Sequence, residues 1–267
     1  MFWPAEAIWE QVAPNLPNFT VEVLPEMDST NSELMRRAKQ GQTDPVLLVA
    51  ERQTAGRGRL GRQWVSDLDG GQNTLCFSLG LRLAPADWSG LSLAVGVAVA
   101  QSLHADIRLK WPNDLWYQDR KMAGILIETA SLVQSDAAAL PAGSRFAVVG
   151  IGINMQPPAV DDNANTLRTP PSGLCELLPG IDAPAALQRV AASLVATMFC
   201  FEREGFAAFQ ARFQALDVLR GRAIAASDGL QGTAQGVDAS GALLVHTSQG
   251  VQRIISSEVS VRPASMP

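Results

Sequence analysis

The segment Leu91–Leu103 carries no charged side chain on any face. Read as a helix it is apolar nearly all round, and it is too long for an average strand, so other elements have to enclose it. Ser89-Gly90 before it and Asp106 after it mark its ends. A chain that hides a whole helix needs a sizeable core. The 267 residues, 47% of them hydrophobic, supply one, as one large domain or a large and a small one on a prior of roughly 100–200 residues each. With 18% charged residues and no repetitive polar tract, a disordered chain is excluded. No apolar run reaches the roughly 18 residues of a membrane span. The N-terminal MFWPAEAIWEQ carries acids and lacks a basic stretch followed by an apolar one, so it does not read as a secretory signal, and a cytoplasmic location is expected.

The remaining pattern alternates sheet and helix. Residues 21–24 and 46–50 are short strand candidates, and Asp28-Ser29-Thr30-Asn31 supplies acceptor side chains for a helix start. Leu75, Phe77, Leu79 and Leu81 alternate with Cys76, Ser78 and Gly80, the period of a half-buried strand. Strands are expected at 107–109, 115–117, 125–127 and 146–151, and helices at 183–204 and 206–216. The stretches 131–144 and 156–173 read as connections. After Arg220 short β-type runs at 223–226, 233–237, 243–247, 251–255 and 259–261 alternate with turn signals such as Asp228-Gly229 and Gln249-Gly250, the texture of a small β-barrel. The expected division is therefore 1–215 and 216–267.

Residue chemistry is concentrated in a few places. Periodicity is lost at 51–72, a loop long enough to be functional, in which Arg52, Arg57, Arg59 and Arg62 stand among Gly56, Gly58 and Gly61. The glycines let the backbone approach a ligand, and the guanidinium forks match phosphate or carboxylate oxygens. A solvated loop, or one that grips RNA phosphates, would have the same composition. Lysine is scarce: Lys39, Lys110 and Lys121 are the only three, and two fall in Lys110-Trp111-Pro112-Asn113-Asp114 and Asp119-Arg120-Lys121-Met122-Ala123-Gly124. These residues suit a plain hairpin, or a site where Lys121 stabilises charge building up on an acyl-phosphate. Gly150-Ile151-Gly152-Ile153-Asn154 lacks the third glycine and the later acid of a dinucleotide fingerprint, and reads instead as a strand end beneath a ligand. Cys76, Cys175 and Cys200 have no CxxC spacing and only His104 and His246 to join them, so neither a disulfide framework nor a zinc site is indicated. The net charge of −5 argues against a general nucleic-acid binder.

In this order, Ser29-Thr30-Asn31, Gln53 with the 56–62 loop and Trp64, Lys110-Trp111-Pro112-Asn113-Asp114, Asp119-Arg120-Lys121 with Gly124, and Gly152-Ile153-Asn154 closely resemble the bacterial biotin protein ligases. The resemblance runs from about residue 28 to 261. It implies an α+β fold, a mixed β-sheet flanked by helices of the class II synthetase and biotin-lipoate ligase kind, with a small C-terminal SH3-like β-barrel. It implies ATP and Mg2+ with biotin as substrate, no permanently bound cofactor, and a biotin carboxyl carrier protein as acceptor. Lys121, Arg57 and Arg59 would be catalytic. Biotin would meet Ser29, Thr30, Asn31, Gln53, Gly56, Arg57, Gly58, Arg59, Lys121 and Gly124. The nucleotide would meet Arg57, Gly58, Arg59, Arg62, Trp64, Lys110, Asn113, Asp114 and Asn154, and no magnesium ligand is specified. Some members carry an N-terminal helix-turn-helix and act as repressors; with 28 residues ahead of Ser29, no operator binding is expected here. No DNA or membrane partner is expected, and a homodimer is compatible with the family. The rival substrates are lipoate and octanoate, and the rival classes are an RNA-binding protein and a non-catalytic binding module.

Overall fold

The computed structural model describes residues 2–65, 73–132, 141–158, 170–255 and 261–263. The far end of the 51–72 loop, the middles of the two long connections and part of the strand expected at 259–261 lie outside the described residues.

Seven strands build the main sheet: β1 (Thr20–Met27), β2 (Val46–Gln53), β3 (Thr74–Leu83), β4 (Arg108–Lys110), β5 (Asp114–Tyr117), β6 (Arg120–Ser131) and β7 (Arg145–Asn154). Their order is β1-β2-β3-β7-β6-β5-β4. β1 and β2 are parallel, joined through helix α2 (Thr30–Lys39), and every other neighbouring pair is antiparallel, so the sheet is mixed. β6 is far longer than the apolar run at 125–127 suggests. Its ladder with β7 is made by backbone groups, which polar residues and glycine supply as well as valine does.

Alternation along each strand divides the sheet into two unlike faces. On one, Leu47, Val49, Leu75, Phe77, Leu79, Val149 and Ile151 pack with α3 (Leu91–Leu103) and α4 (Ala183–Glu204) in the main core. α3 is enclosed as its composition demands, with Leu91, Ala94, Val95, Val97 and Val99 all buried. α4 is long and apolar enough to cross a membrane by length and composition, yet Leu187, Val190, Leu194, Met198 and Phe201 are buried in this core, which makes it a core helix. Asp182 caps it through Ala185 N, and Gly205 at φ +64 ends it. The helix expected at 206–216 is divided into a 3-10 turn, Phe206–Ala208, and α5 (Gln210–Leu216), with Phe206, Phe209 and Phe213 all buried in the core. Ahead of them all lies α1 (Ala5–Val12), burying Ile8 and Val12.

Among the described residues the opposite face is covered only in part. α2 lays Leu34 and Ala38 on Leu48, Phe146, Val148 and Ala130. Its cap is Ser29, whose Oγ accepts from Ser32 N at 3.4 Å, with Glu33 in the first turn and Arg36, Arg37 and Lys39 in the last to match the helix dipole. Beyond α2 this face carries Gly124, Gly150 and Gly152 in place of side chains.

A second sheet holds β8 (Ala223–Ala226), β9 (Gln231–Val237), β10 (Leu243–Thr247), β11 (Gly250–Ile254) and β12 (Val261–Pro263), in the order β11-β10-β9-β8-β12 and antiparallel throughout. Where a barrel was expected, the described residues give a five-stranded sheet with β11 and β12 at its edges and no pairing between them. It docks on the first unit closely. Trp111, fully buried, donates Nε1 to Gly241 O at 3.0 Å, and a Cβ at 241 would lie 2.8 Å from Gly90 Cα. Arg222 pairs with Asp119 at 2.6 Å.

Candidate functional site

The register places glycines side by side. Gly124 of β6 is opposite Gly152 of β7, which is opposite Cys76 of β3, while Asp114 of β5 closes the row on the other side. Two residues along, Gly150 sits between Leu126 and Ser78. The result is a bare backbone floor next to the N-terminus of α2, bordered by polar side chains. Neighbouring groups rest directly on it: a Cβ at 150 would lie 2.1 Å from Asn31 Oδ1, and one at 152 would lie 2.4 Å from Trp64 Cε2.

Lys121 reaches this floor because of a β-bulge. Leu115 pairs with Ala123 but Trp116 pairs with Lys121, leaving Met122 as the extra residue. Met122 and Ala123 both enter the main core. Strict alternation would send Lys121 to the core face together with Ala123; the bulge turns it over to the site. There its Nζ lies 2.7 Å from Asp114 Oδ1, 5.9 Å from the Trp64 ring centre, and 3.3 Å from where a Cβ of residue 124 would be. Its main chain is held on the far side by a strap: Lys121 N donates to Pro170 O and Ser172 N to Lys121 O.

The glycine-arginine loop folds back over the floor. β2 continues to Gln53, after which Trp64 N donates to Gly56 O at 2.9 Å and Gly58 N to Arg62 O at 2.7 Å, with Arg57 bridging Gln63. Gly56 leaves no room for a side chain, since its Cβ would lie 2.4 Å from Trp64 O. At the tip Leu60 and Gly61 both take positive φ, 57 and 70. Arg59 leans across to donate to Asn113 Oδ1 at 3.3 Å, and Asn113 Nδ2 in turn holds Ile125 O. Trp64 Nε1, above Gly152, is buried and donates to no described residue, a cost of about 1–3 kcal/mol until an acceptor arrives.

The head of α2 is tied into the sheet by buried hydrogen bonds. Thr30 N donates to Gln53 Oε1 at 2.8 Å, Thr30 Oγ1 lies 3.2 Å from the same oxygen, and Ser78 Oγ sits 2.7 Å from Thr30 Oγ1 and 2.6 Å from Asn31 Oδ1. Asn31 Nδ2 donates to Leu126 O and to Glu128 Oε2. Arg57 meets Glu128 with both terminal guanidinium nitrogens, at 2.9 and 3.2 Å.

Several cations of the described residues gather around Asp114. Lys110, 7% exposed, lies 3.7 Å from Asp114 Oδ2 and over the Trp116 ring at 5.4 Å. Burial pushes the Lys110 ammonium below its ordinary pKa, Asp114 opposes that, and Lys121 and Arg62 add to it. Burial likewise lowers Arg59, against the pull of Asp114. Among the described residues Lys110 and Lys121 thus share Asp114, with Arg59 nearby, a cluster of positive charge that suits an incoming anion.

The sequence-derived residues converge. Thr30, Asn31, Gln53, Gly56, Arg57, Gly58, Arg59, Trp64, Asn113, Asp114, Lys121 and Gly124 surround or form the floor, with Lys110 behind Asp114. Ser29 Oγ caps α2 as an acceptor, which leaves its O–H to donate. Asn154 is 4% exposed, and its Nδ2 is directed at Ser172 O and Lys121 O, at 3.2 and 3.5 Å, so those donors hold the strap. Ser78, Glu128 and Ser172 were missed. Ser78 had a signal, a polar residue in the small phase of an alternating strand; Glu128 and Ser172 depend on pairing partners far away in the chain. Among the described residues no group of three His, Cys, Asp or Glu side chains gathers as a metal would require.

Comparison with known proteins gives two matching families. The Biotin/lipoate A/B protein ligase family matches residues 23–143, and the Biotin protein ligase C terminal domain matches residues 221–262. The Bifunctional ligase/repressor BirA of Escherichia coli (strain K12) is 34% identical over 265 residues, covering 96% of this chain and 78% of that protein. The Biotin--[acetyl-CoA-carboxylase] ligase of Paracoccus denitrificans is 30% identical over 245 residues, 89% of this chain and 98% of that one. Among solved structures, Biotin protein ligase from Aquifex aeolicus in complex with biotin and ATP superposes with a TM-score of 0.72 at 27% identity, covering 93% of this chain and 100% of that one.

Proposed function

This chain belongs to the biotin protein ligase family, and from that premise we propose that it activates biotin with ATP and passes it to a lysine of a biotin carboxyl carrier protein. In the first step a biotin carboxylate oxygen attacks the α-phosphorus of ATP, the α–β phosphoanhydride bond breaks, and pyrophosphate leaves biotinyl-5'-adenylate behind. In the second the carrier's lysine amine attacks the acyl carbon, the acyl–O bond to AMP breaks, and the amine gives up a proton.

The observation that carries this reading is the pairing of a bare glycine floor with a bulge-directed Lys121. A carboxylate and a triphosphate repel each other, and they have to meet within bonding distance. Lys121 Nζ, 2.7 Å from Asp114, and Arg59, lying over Asn113, supply fixed positive charge where that repulsion is greatest. Lys121 is the group to bond the carboxylate-derived oxygen. The buried Gln53–Thr30–Ser78–Asn31 cluster offers donors and acceptors suited to a polar head group, and the Gly124–Gly152 backbone lets a flat ligand lie against the sheet. Trp64 Nε1 is a donor ready for such a ligand. Arg62, Lys110 and Asp114 would form the phosphate side.

Magnesium would come with ATP. Asp114, beside Lys110 and Lys121, fits an ion that takes most of its ligands from phosphate and water. Bound there, it would neutralise charge on the phosphates. Residues 1–215 would hold the whole activating site, with 216–267 supporting the Lys110–Asp114 turn through Trp111 and Gly241.

The test is exchange of labelled pyrophosphate into ATP by the full chain, with biotin, lipoate or octanoate. Exchange with biotin alone is expected. Exchange with another acid would change the substrate, and none with any acid would overturn the ligase reading.

A further inference from the structure

We propose that Glu128 is a positioning residue that latches the glycine-arginine loop shut, with Ser78 and Asn31 orienting it from below. The proposal rests on the ligase reading for its consequence, though not for the latch itself. Three donors converge on the Glu128 carboxylate: Arg57 gives one hydrogen bond to each oxygen, at 2.9 and 3.2 Å, and Asn31 Nδ2 gives one to Oε2 at 3.0 Å. Arg57 belongs to the loop and Asn31 to the first turn of α2, while Glu128 stands on β6. One half-buried carboxylate therefore ties together loop, helix and sheet.

Asn31 has no freedom to turn away. Its Oδ1 accepts from Ser78 Oγ at 2.6 Å, its Nδ2 also donates to Leu126 O at 3.2 Å, and the absent side chain of Gly150 gives it its place. Ser78 Oγ also touches Thr30 Oγ1, which neighbours Gln53 Oε1. A continuous chain of polar contacts thus runs from Gln53, where the ligand's head group is expected, through Thr30, Ser78, Asn31 and Glu128 to Arg57. Arg57 is at the base of the loop, bridged to Gln63, so holding it also holds the Gly56–Trp64 and Gly58–Arg62 bonds that lay Trp64 on Gly152. Glu128 acts through these groups and reaches no floor residue itself.

Arg57 is about half exposed and Glu128 less so, the range in which an ion pair shifts an equilibrium only a few-fold and in which salt weakens it. That suits a latch that has to open at each turnover.

The experiment uses the full chain and the variants Glu128→Gln, Glu128→Asp and Ser78→Ala. Two quantities are read at low and high salt: the KM and kcat of biotin-dependent pyrophosphate exchange, and the ratio of free biotinyl-adenylate to carrier-bound biotin. Glu128→Gln is expected to raise the escape ratio about two- to fivefold. It is expected to act on the KM for biotin more than on kcat, and Glu128→Asp to recover part of the loss. Wild-type escape should rise with salt towards that of Glu128→Gln, whose own escape should stay flat; Ser78→Ala should keep its salt response while raising KM. An unchanged escape ratio, or faster exchange by Glu128→Gln, would overturn the latch, the latter because it would make Glu128 a restraint on Arg57.

Hydrogen exchange in the ligand-free protein separates the two claims. The amides of Gly58 and Trp64 should exchange faster in Glu128→Gln whether or not the protein uses biotin. If they do not, the latch is wrong even in an active ligase, and if wild type shows no biotin-dependent exchange while they do, the ligase reading alone falls.

Discussion

A methyl group at position 152 is expected to disable the loop while sparing the fold. In Gly152→Ala the new Cβ would lie 2.4 Å from Trp64 Cε2, 2.7 Å from Cζ2 and 2.8 Å from Nε1. Carbon atoms in contact settle at about 3.5–4.0 Å, so the ring and backbone have to separate by about 1 Å or more. β7 cannot yield, because residue 152 is paired with Cys76 on one side and Gly124 on the other. The indole has to move, and with it the loop. Overpacking of this kind costs about 1–3 kcal/mol, which at about 1.4 kcal/mol per decade lowers the closed population by roughly five- to 150-fold. An open loop relieves the clash, so the melting temperature should fall by only a few degrees while the KM for biotin in pyrophosphate exchange rises about tenfold or more. Gly150→Ala provides the contrast. Its Cβ would meet Asn31 Oδ1 at 2.1 Å, and Asn31 is fixed in α2, so that variant should lose thermal stability outright. A folded Gly152→Ala with wild-type KM would show that Trp64 does not rest on the floor, and would refute the reasoning.

Lys121→Met should lower adenylate formation by about 100-fold or more, as loss of a donor aimed at developing charge does, with the melting transition retained; a near-normal exchange rate would count against its role. Arg59→Gly should release biotinyl-adenylate and biotinylate bystander lysines, read by blotting a mixture with an unrelated protein, and labelling equal to wild type would contradict a closing loop. Asp217 is held by burial at a pKa of about 6 against 3.8 for the free side chain. Between those values the folded protein carries a proton that the unfolded chain does not, so stability is expected to fall as pH rises from about 4 to 6 and to stay lower above. Asp217→Asn keeps the acceptor for Leu219 N and should gain up to about 3 kcal/mol at pH 8 and nothing near pH 4 in denaturant unfolding; an equal effect at both pH values would exclude ionisation as the cause.

Much of the architecture and of the site could be read from the linear chain. The all-apolar face of Leu91–Leu103 demanded enclosure, the alternation around Phe77 announced a strand, and the run at 183–204 coincided with α4, because burial and backbone propensity are recorded locally in residue type. The glycines at 56, 58, 124 and 152 and the concentration of rare lysines marked where a ligand could approach the backbone. The 206–216 segment was harder: Phe206, Phe209 and Phe213 keep the spacing of one helix face, and that pattern does not show the division into a 3-10 turn and α5.

What remained illegible depended on pairing between distant strands. The sheet order β3-β7-β6-β5 decides that Gly124, Gly152 and Cys76 share a row. The bulge at Met122 decides that Lys121 faces the glycine floor instead of the core, which alternation alone would have reversed. Asn154 illustrates the same limit: nothing in the linear chain shows that its Nδ2 is directed at Ser172 O and Lys121 O. Glu128 and Ser78 gained their meaning only when residues 31, 57, 78 and 128 came together. A residue's chemistry is a property of its side chain and is visible in the chain, whereas its direction and its partners are set by register and crossing strands, which exist only once the sheet has formed.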